Sequence, residues 1–267
     1  MKNLIYQYWD GELHCGVKAG SEAMRSYAER IGAEYLFEHN PRFVTNLGRY
    51  SPHYGSFKPI YTESFYQYDN VLFTDTDVFP VDELSESIFN GFDAEMGICT
   101  EPFQPKHRAS VSGPICRAMD ERWATAIKKQ WNVDMPRTTD GLLKVYNSGV
   151  VLYSNRGLRA ARDRFVPFLD YVRCVNSNKL STFYTADQNY VHAMLEVAKM
   201  EYVELDNDWN SYVHFVGDRS MKTRPINDMR TKNTKFVHIQ ISSADHFDTD
   251  TLWRITNLPV NKWDLPI

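Results

Sequence analysis

The chain has 267 residues, of which 43% are hydrophobic and 24% charged, with a net charge of −4. That length can bury a substantial core as one large α/β domain. Mild acidity without a basic block argues against nucleic acid as a partner, and no run approaches the roughly eighteen apolar residues of a membrane span.

The segment Met1 to Gln7 is too short and too polar for a signal peptide. Cys15, Cys99, Cys116 and Cys174 are scattered without a Cys-x-x-Cys pair. They suggest neither zinc nor redox chemistry, and free thiols in a reducing, cytoplasmic setting fit best. Sixteen tyrosines and six tryptophans are more than a core requires. Such rings serve either sugar sites or cores.

In chain order, Leu4 to Trp9 reads as a first strand, broken by Asp10-Gly11. Tyr8 and Trp9 fall at its carboxyl end, placed either to stack on a nucleotide base or to cover the sheet edge. A helix follows with Met24, Tyr27, Ala28 and Ile31 on one face. Gly32 ends it, and Ala33 to Phe37 makes a second strand, so the chain opens β-α-β. Asn40 to Gly55 reads as loop and Lys58 to Tyr68 as helix. Lys58 either points toward an anion or is solvated.

Val71-Leu72-Phe73-Thr74 then runs into Asp75-Thr76-Asp77. The apolar run is a buried strand of a parallel sheet, and ligands of open α/β sheets bind at such carboxyl ends. If the extended geometry continues, Asp75 and Asp77 face one spot. Neighbouring carboxylates repel unless a cation sits between them. Magnesium and manganese are commonly held by one or two carboxylates plus substrate phosphates. The expectation is a divalent ion that carries a nucleotide diphosphate. The structural alternative is a strand-end acidic pair, with Asp77 starting a turn through Pro80 and Asp82 capping a helix to Phe89.

Ala94 to Cys99 reads as a strand, Pro102 to Pro114 as a long lid-like loop, and Ala118 to Trp131 as a helix. In Asn147-Ser148-Gly149, ahead of the strand Val150 to Tyr153, the glycine permits close approach of a ligand and the polar side chains suit sugar hydroxyls. A simple bulge is the alternative. Leu158 to Val175 reads as one helix kinked at Pro167. Asp187-Gln188 opens another helix, where Asp187 can be merely an N-terminal residue. Met221 to Lys235 is polar and basic, and Lys235 to Ile241 is a last strand carrying His238.

The order of these stretches resembles the GT-A nucleotide-sugar glycosyltransferases. They are a basic residue on a helix, an apolar strand into Asp-x-Asp, Asn-Ser-Gly-Val, Asp-Gln opening a helix, Trp-Asn, and Phe236-Val237-His238. The chain is most similar to the glycogenin and lipooligosaccharide galactosyltransferase type. Its small size also resembles the sugar transferases of large viruses of algae.

The resemblance implies a single GT-A domain over residues 1–267, α/β and Rossmann-like, with a mixed, mostly parallel central sheet flanked by helices. It implies transfer of a sugar, hexosyl or pentosyl, from a nucleotide diphosphate sugar (a uridine diphosphate sugar by the same resemblance) to a glycan or glycoprotein hydroxyl. Asp75 would touch the ribose and the metal, Asp77 would be the main metal ligand, and His238 the third. An imidazole there leans toward manganese over magnesium. Lys58 would lie near the donor phosphate or sugar, Asn147 and Ser148 in the sugar pocket, and Asp187 and Gln188 beside the anomeric carbon. The Asp-Gln pair leans toward retention of configuration. One departure stands out: the family places Gly and then Lys shortly after its histidine, and Ile239 to Asp245 has neither. Lys235, His246 and Arg108 are the basic residues that could replace that lysine.

Two other functions compete. Haloacid dehalogenase phosphatases also place Asp-x-Asp after an apolar strand, but usually near the N-terminus, and Phe79 departs from their pattern. A sugar-nucleotide or glycan-binding protein without turnover is the third reading.

Overall fold

The computed structural model describes residues 1–215, 226–240 and 247–263. In chain order the elements are β1 (Asn3–Trp9), α1 (Cys15–Arg30), β2 (Glu34–His39), α2 (Lys58–Tyr61), β3 (Asn70–Thr74), β4 (Val78–Pro80) and β5 (Met96–Thr100). Next come α3 (Gln104–Ser110), α4 (Arg117–Trp131), β6 (Tyr146–Ser154), α5 (Asn155–Arg164), α6 (Phe168–Ser177) and α7 (Asp187–Val197). The chain ends with β7 (Tyr202–Glu204), β8 (Ser211–Phe215), β9 (Ile226–Asp228), β10 (Phe236–Gln240) and α8 (Thr249–Asn257). It is a mixed α/β protein with a six-stranded, mostly parallel central sheet flanked by helices. None of the described helices is long and apolar enough to cross a membrane.

Its contacts divide into two compact units. The first comprises Met1–Pro41, Tyr68–Phe92 and Asp206–Ile267. Here β1 pairs in parallel with β2 on one side and β3 on the other. All five residues of β3 are buried, as expected of a strand covered on both faces. Helix α1 forms because Val17, Gly20, Met24, Tyr27 and Ala28 recur at helical spacing and all are buried. Gly32, at φ +69°, supplies the left-handed residue that stops it. A second sheet, β4-β10-β8-β9, packs Phe79, Val213, Val237 and Ile239 with Leu252, Ile255 and Trp263 into one apolar cluster.

The second unit comprises Arg42–Gln67 and Asp93–Leu205. Strand β5 pairs antiparallel with β6 and parallel with β7. Its core is rich in rings. Tyr190 lies 5.0 Å from both Phe57 and Phe168, and 5.3 Å from Tyr171, all edge to face. At least nine of the sixteen tyrosines are under 2% exposed. Most of the aromatic surplus is therefore core rather than binding surface.

Several local expectations fail. Lys58 to Tyr68 is not one helix: α2 stops at Thr62, which is extended, and 3-10 turns flank it at Gly48–Phe57 and Glu63–Gln67. Asp82 to Phe89 forms turns, with Glu83 at φ +54°. Pro102 to Pro114 is not a bare loop but holds α3. The helix expected from Leu158 to Val175 is two helices, because Phe165 and Pro167 are extended. Proline lacks the N–H a helix needs and pushes its predecessor out of helical geometry. Asn155 to Arg164 is capped by the Ser154 hydroxyl, which accepts from the Gly157 N–H at 3.1 Å. Residues 221–225 of the expected polar stretch, and His246, lie outside the described residues.

Candidate metal centre and polar cluster

In the first unit, Asp75 follows directly on the carboxyl end of β3. Its carbonyl oxygen accepts from Gln7 Nε2 at 2.9 Å, and Gln7 Oε1 accepts from the Tyr35 hydroxyl at 2.8 Å. Extended geometry does not continue: Thr76 and Asp77 form a turn, and Val78 to Pro80 is strand β4 rather than a turn. Strand β4 runs antiparallel to β10, with Val78 opposite His238, and the Ile239 N–H donates to the Asp77 carbonyl at 2.9 Å. That register sets His238 Nε2 3.2 Å from Asp77 Oδ1. Asp75, Asp77 and His238 each offer one ligand atom, all within 4.8 Å of one another. His238 is buried and the two aspartates half-buried.

Two carboxylates this close repel, and a cation shared with the imidazole relieves them. Two hard oxygen donors and one imidazole nitrogen suit a divalent ion, so the residues present fit a metal. The other imidazole nitrogen, Nδ1, lies 3.0 Å from Asn210 Oδ1, and Asn210 Nδ2 donates to the Tyr212 hydroxyl at 3.1 Å.

Tyr8 and Trp9 end β1, both half-buried. The Tyr8 ring stacks on Phe73 with centroids 5.8 Å apart. Trp9 Nε1 donates to the Glu12 carbonyl at 2.7 Å.

In the second unit, the β5–β6 register shifts: Ile98 pairs with Val151 but Cys99 with Asn147. Ser148, Gly149 and Val150 thus bulge from the ladder. The bulge and a polar cluster coexist here. Asn147 Nδ2 donates to Glu101 Oε1 at 2.7 Å and to Gln188 Oε1 at 3.3 Å, while its Oδ1 accepts from the Gly149 N–H at 2.8 Å. Asp187 and Gln188 open α7. Burial pushes the Asp187 carboxyl above the ordinary value. His53, the Ser148 hydroxyl and the N–H groups of Gln188 and Asp187 itself pull the other way. His53 Nδ1 lies 4.0 Å from Asp187 Oδ1. Lys58 opens α2, half-buried.

The structure thus brings Asp75, Asp77 and His238 together in one unit, and Asn147, Ser148, Asp187 and Gln188 together in the other. Two of the three basic residues suggested for the diphosphate are engaged elsewhere. Arg108 is buried and paired with Asp120 at 3.0 Å. Lys235 pairs with Glu86 at 2.6 Å and sits 4.4 Å over the Trp209 ring. The sequence patterns assign no role to Glu101, Gln7 or Asn210. For Glu101 a usable signal exists: it follows the last residue of β5, the same strand-end position that singles out Asp75.

No protein-family profile matches the chain, and no curated protein matches it in sequence. Solved structures do match it. One is a glycosyltransferase involved in the glycosylation of the major capsid of PBCV-1, with TM-score 0.51 and 12% identity over 92% of this chain and 96% of that one. Another is the galactosyltransferase LgtC in complex with donor and acceptor sugar analogs, with TM-score 0.50 and 13% identity over 97% of this chain and 98% of that one. The fold of this chain is the GT-A fold of these glycosyltransferases.

Proposed function

We propose that this protein is a metal-dependent glycosyltransferase that moves a sugar from a nucleotide diphosphate sugar to a hydroxyl of a glycan or glycoprotein. The observation that carries this reading is the Asp75–Asp77–His238 group at the carboxyl end of β3, in a chain with a glycosyltransferase fold. Asp77 and His238 hold the ion, and Asp75 serves both ion and ribose. Manganese is favoured over magnesium by the imidazole. When bound, the ion supplies Lewis-acid stabilisation of charge on the departing diphosphate. Tyr8 and Trp9 offer rings for the base, which we take to be uracil. Lys58 serves the donor phosphate or sugar.

In the second unit, Asn147 and Ser148 bind sugar hydroxyls. Gln188 Oε1 already accepts from Asn147, which leaves its amide nitrogen to donate to the sugar. Asp187, with three donors on its carboxylate, binds and orients the sugar in a retaining transfer. In an inverting one it would be the general base for the acceptor hydroxyl. Retention is the reading we favour. The protein otherwise contributes by holding the acceptor against the sugar.

The test is a thermal-shift screen of uridine and guanosine diphosphate sugars with and without manganese. One donor should raise the melting temperature only when manganese is present. Asp77→Asn should abolish that rise and the transfer activity while leaving the metal-free melting temperature nearly unchanged. Hydrolysis of a phosphate ester, with no shift from any sugar nucleotide, would instead indicate the phosphatase. Donor binding without turnover on any acceptor would indicate a binding protein.

A further inference from the structure

We infer that Asn210 is the positioning residue of the metal centre. It holds His238 in the one orientation and protonation pattern that turns Nε2 into a ligand. The inference rests on the metal-binding reading above. Asn210 is 0% exposed and His238 is 4% exposed, so neither side chain can satisfy its polar atoms with solvent. Asn210 Nδ2 donates to the Tyr212 hydroxyl, which leaves Oδ1 to face His238 Nδ1 at 3.0 Å. A carbonyl oxygen only accepts, so Nδ1 must carry the hydrogen. With an ion bound, the neutral ring then presents its lone pair from Nε2, the nitrogen 3.2 Å from Asp77 Oδ1.

The scaffold keeps this relay in place. Tyr212 stands directly opposite His238 across the β8–β10 pairing, and the two rings lie 5.5 Å apart. One residue, Tyr212, therefore packs the imidazole and fixes the amide that reads it. A partner on the non-ligating nitrogen is the general device by which a ligating histidine is oriented, and its loss typically costs about 10–100-fold in metal affinity.

Three variants test this against manganese chloride alone, by calorimetric titration of the full chain. Asn210→Leu keeps the branching at Cγ and removes the hydrogen bonds to His238 and Tyr212, and manganese affinity should fall about 10–100-fold. Asn210→Asp restores an acceptor for Nδ1–H and should hold affinity within a few-fold of wild type. A purely structural asparagine would make that buried charge as harmful as leucine. Tyr212→Phe, which is close to isosteric, should lower affinity several-fold and serves if the leucine variant does not fold. Nitrogen NMR of His238 in the metal-free protein reads the ring itself. At pH 8, Nδ1 should be protonated in wild type and unprotonated in Asn210→Leu. Unprotonated Nδ1 in wild type, wild-type affinity in the leucine variant, or equal losses for aspartate and leucine would each overturn the inference. A wild-type protein that binds no manganese but shows protonated Nδ1 would sink the metal reading and leave the Asn210–His238 contact standing.

Discussion

Gly20 and Thr76 touch. A Cβ placed on Gly20 would stand 1.9 Å from the Thr76 carbonyl oxygen and 3.0 Å from its carbonyl carbon. Helix α1 therefore presses its bare backbone against the peptide that separates the two aspartates. Any side chain at position 20 must displace either the helix or the turn.

Gly20→Ala should for that reason lower stability and, under the proposed function, metal affinity. Overpacking of this kind costs about 1–3 kcal/mol, visible as a lower urea midpoint. Because the displaced peptide carries Asp75 and Asp77, manganese titration should show weaker binding as well. A variant with wild-type midpoint and affinity would mean that the contact constrains nothing.

Asp187 predicts a pH dependence. Burial holds its carboxyl above the ordinary value of 3.8, so the native state binds that proton more tightly than the unfolded chain does. Stability from this group is fully present below ~pH 4 and is lost as pH rises through the native value. Asn cannot ionise, so Asp187→Asn should gain stability relative to wild type on going from pH 4 to pH 8. Denaturant midpoints of both proteins at the two pH values measure it. A difference that does not change with pH would refute the claim. Under the proposed function the same substitution should remove sugar transfer at either pH.

Asp120 accepts from Arg108 at 3.0 Å and from the Tyr184 hydroxyl at 2.7 Å, with both ion-pair side chains almost fully buried. Asp120→Ala strands the guanidinium without its partner and should destabilise the fold by about 3–5 kcal/mol. Equilibrium unfolding in urea checks this. A loss below about 1 kcal/mol would place the pair among weak surface bridges.

Much of the architecture is legible in the amino-acid sequence alone. Strands β1, β3, β6 and β10 and helices α1, α4 and α7 follow from runs and periodicities of apolar residues. These record which face of an element is buried. Asp75 and Asp77 stand out because the strand before them ends there. The failures have equally local causes. Pro167 splits a helix that periodicity alone would join. Thr62 breaks another, and α3 hides in a stretch whose prolines read as loop.

What sequence does not disclose is partnership at long range. His238 is, by local pattern, a lone strand histidine, and its distance to Asp77 depends on β4 pairing with β10 in one register. Trp209-Asn210 belongs to the motif order that carries the resemblance, but local pattern gives Asn210 no role, because the contact that matters spans 28 residues. Local patterns report burial within an element. Which strand lies beside which, and in what register, is chosen by the packing of whole faces against one another. The pair of aspartates can be read from a few consecutive residues. The resemblance points to His238 as a third ligand, but the approach of its Nε2 to Asp77, its orientation and the amide that faces it come only from the fold.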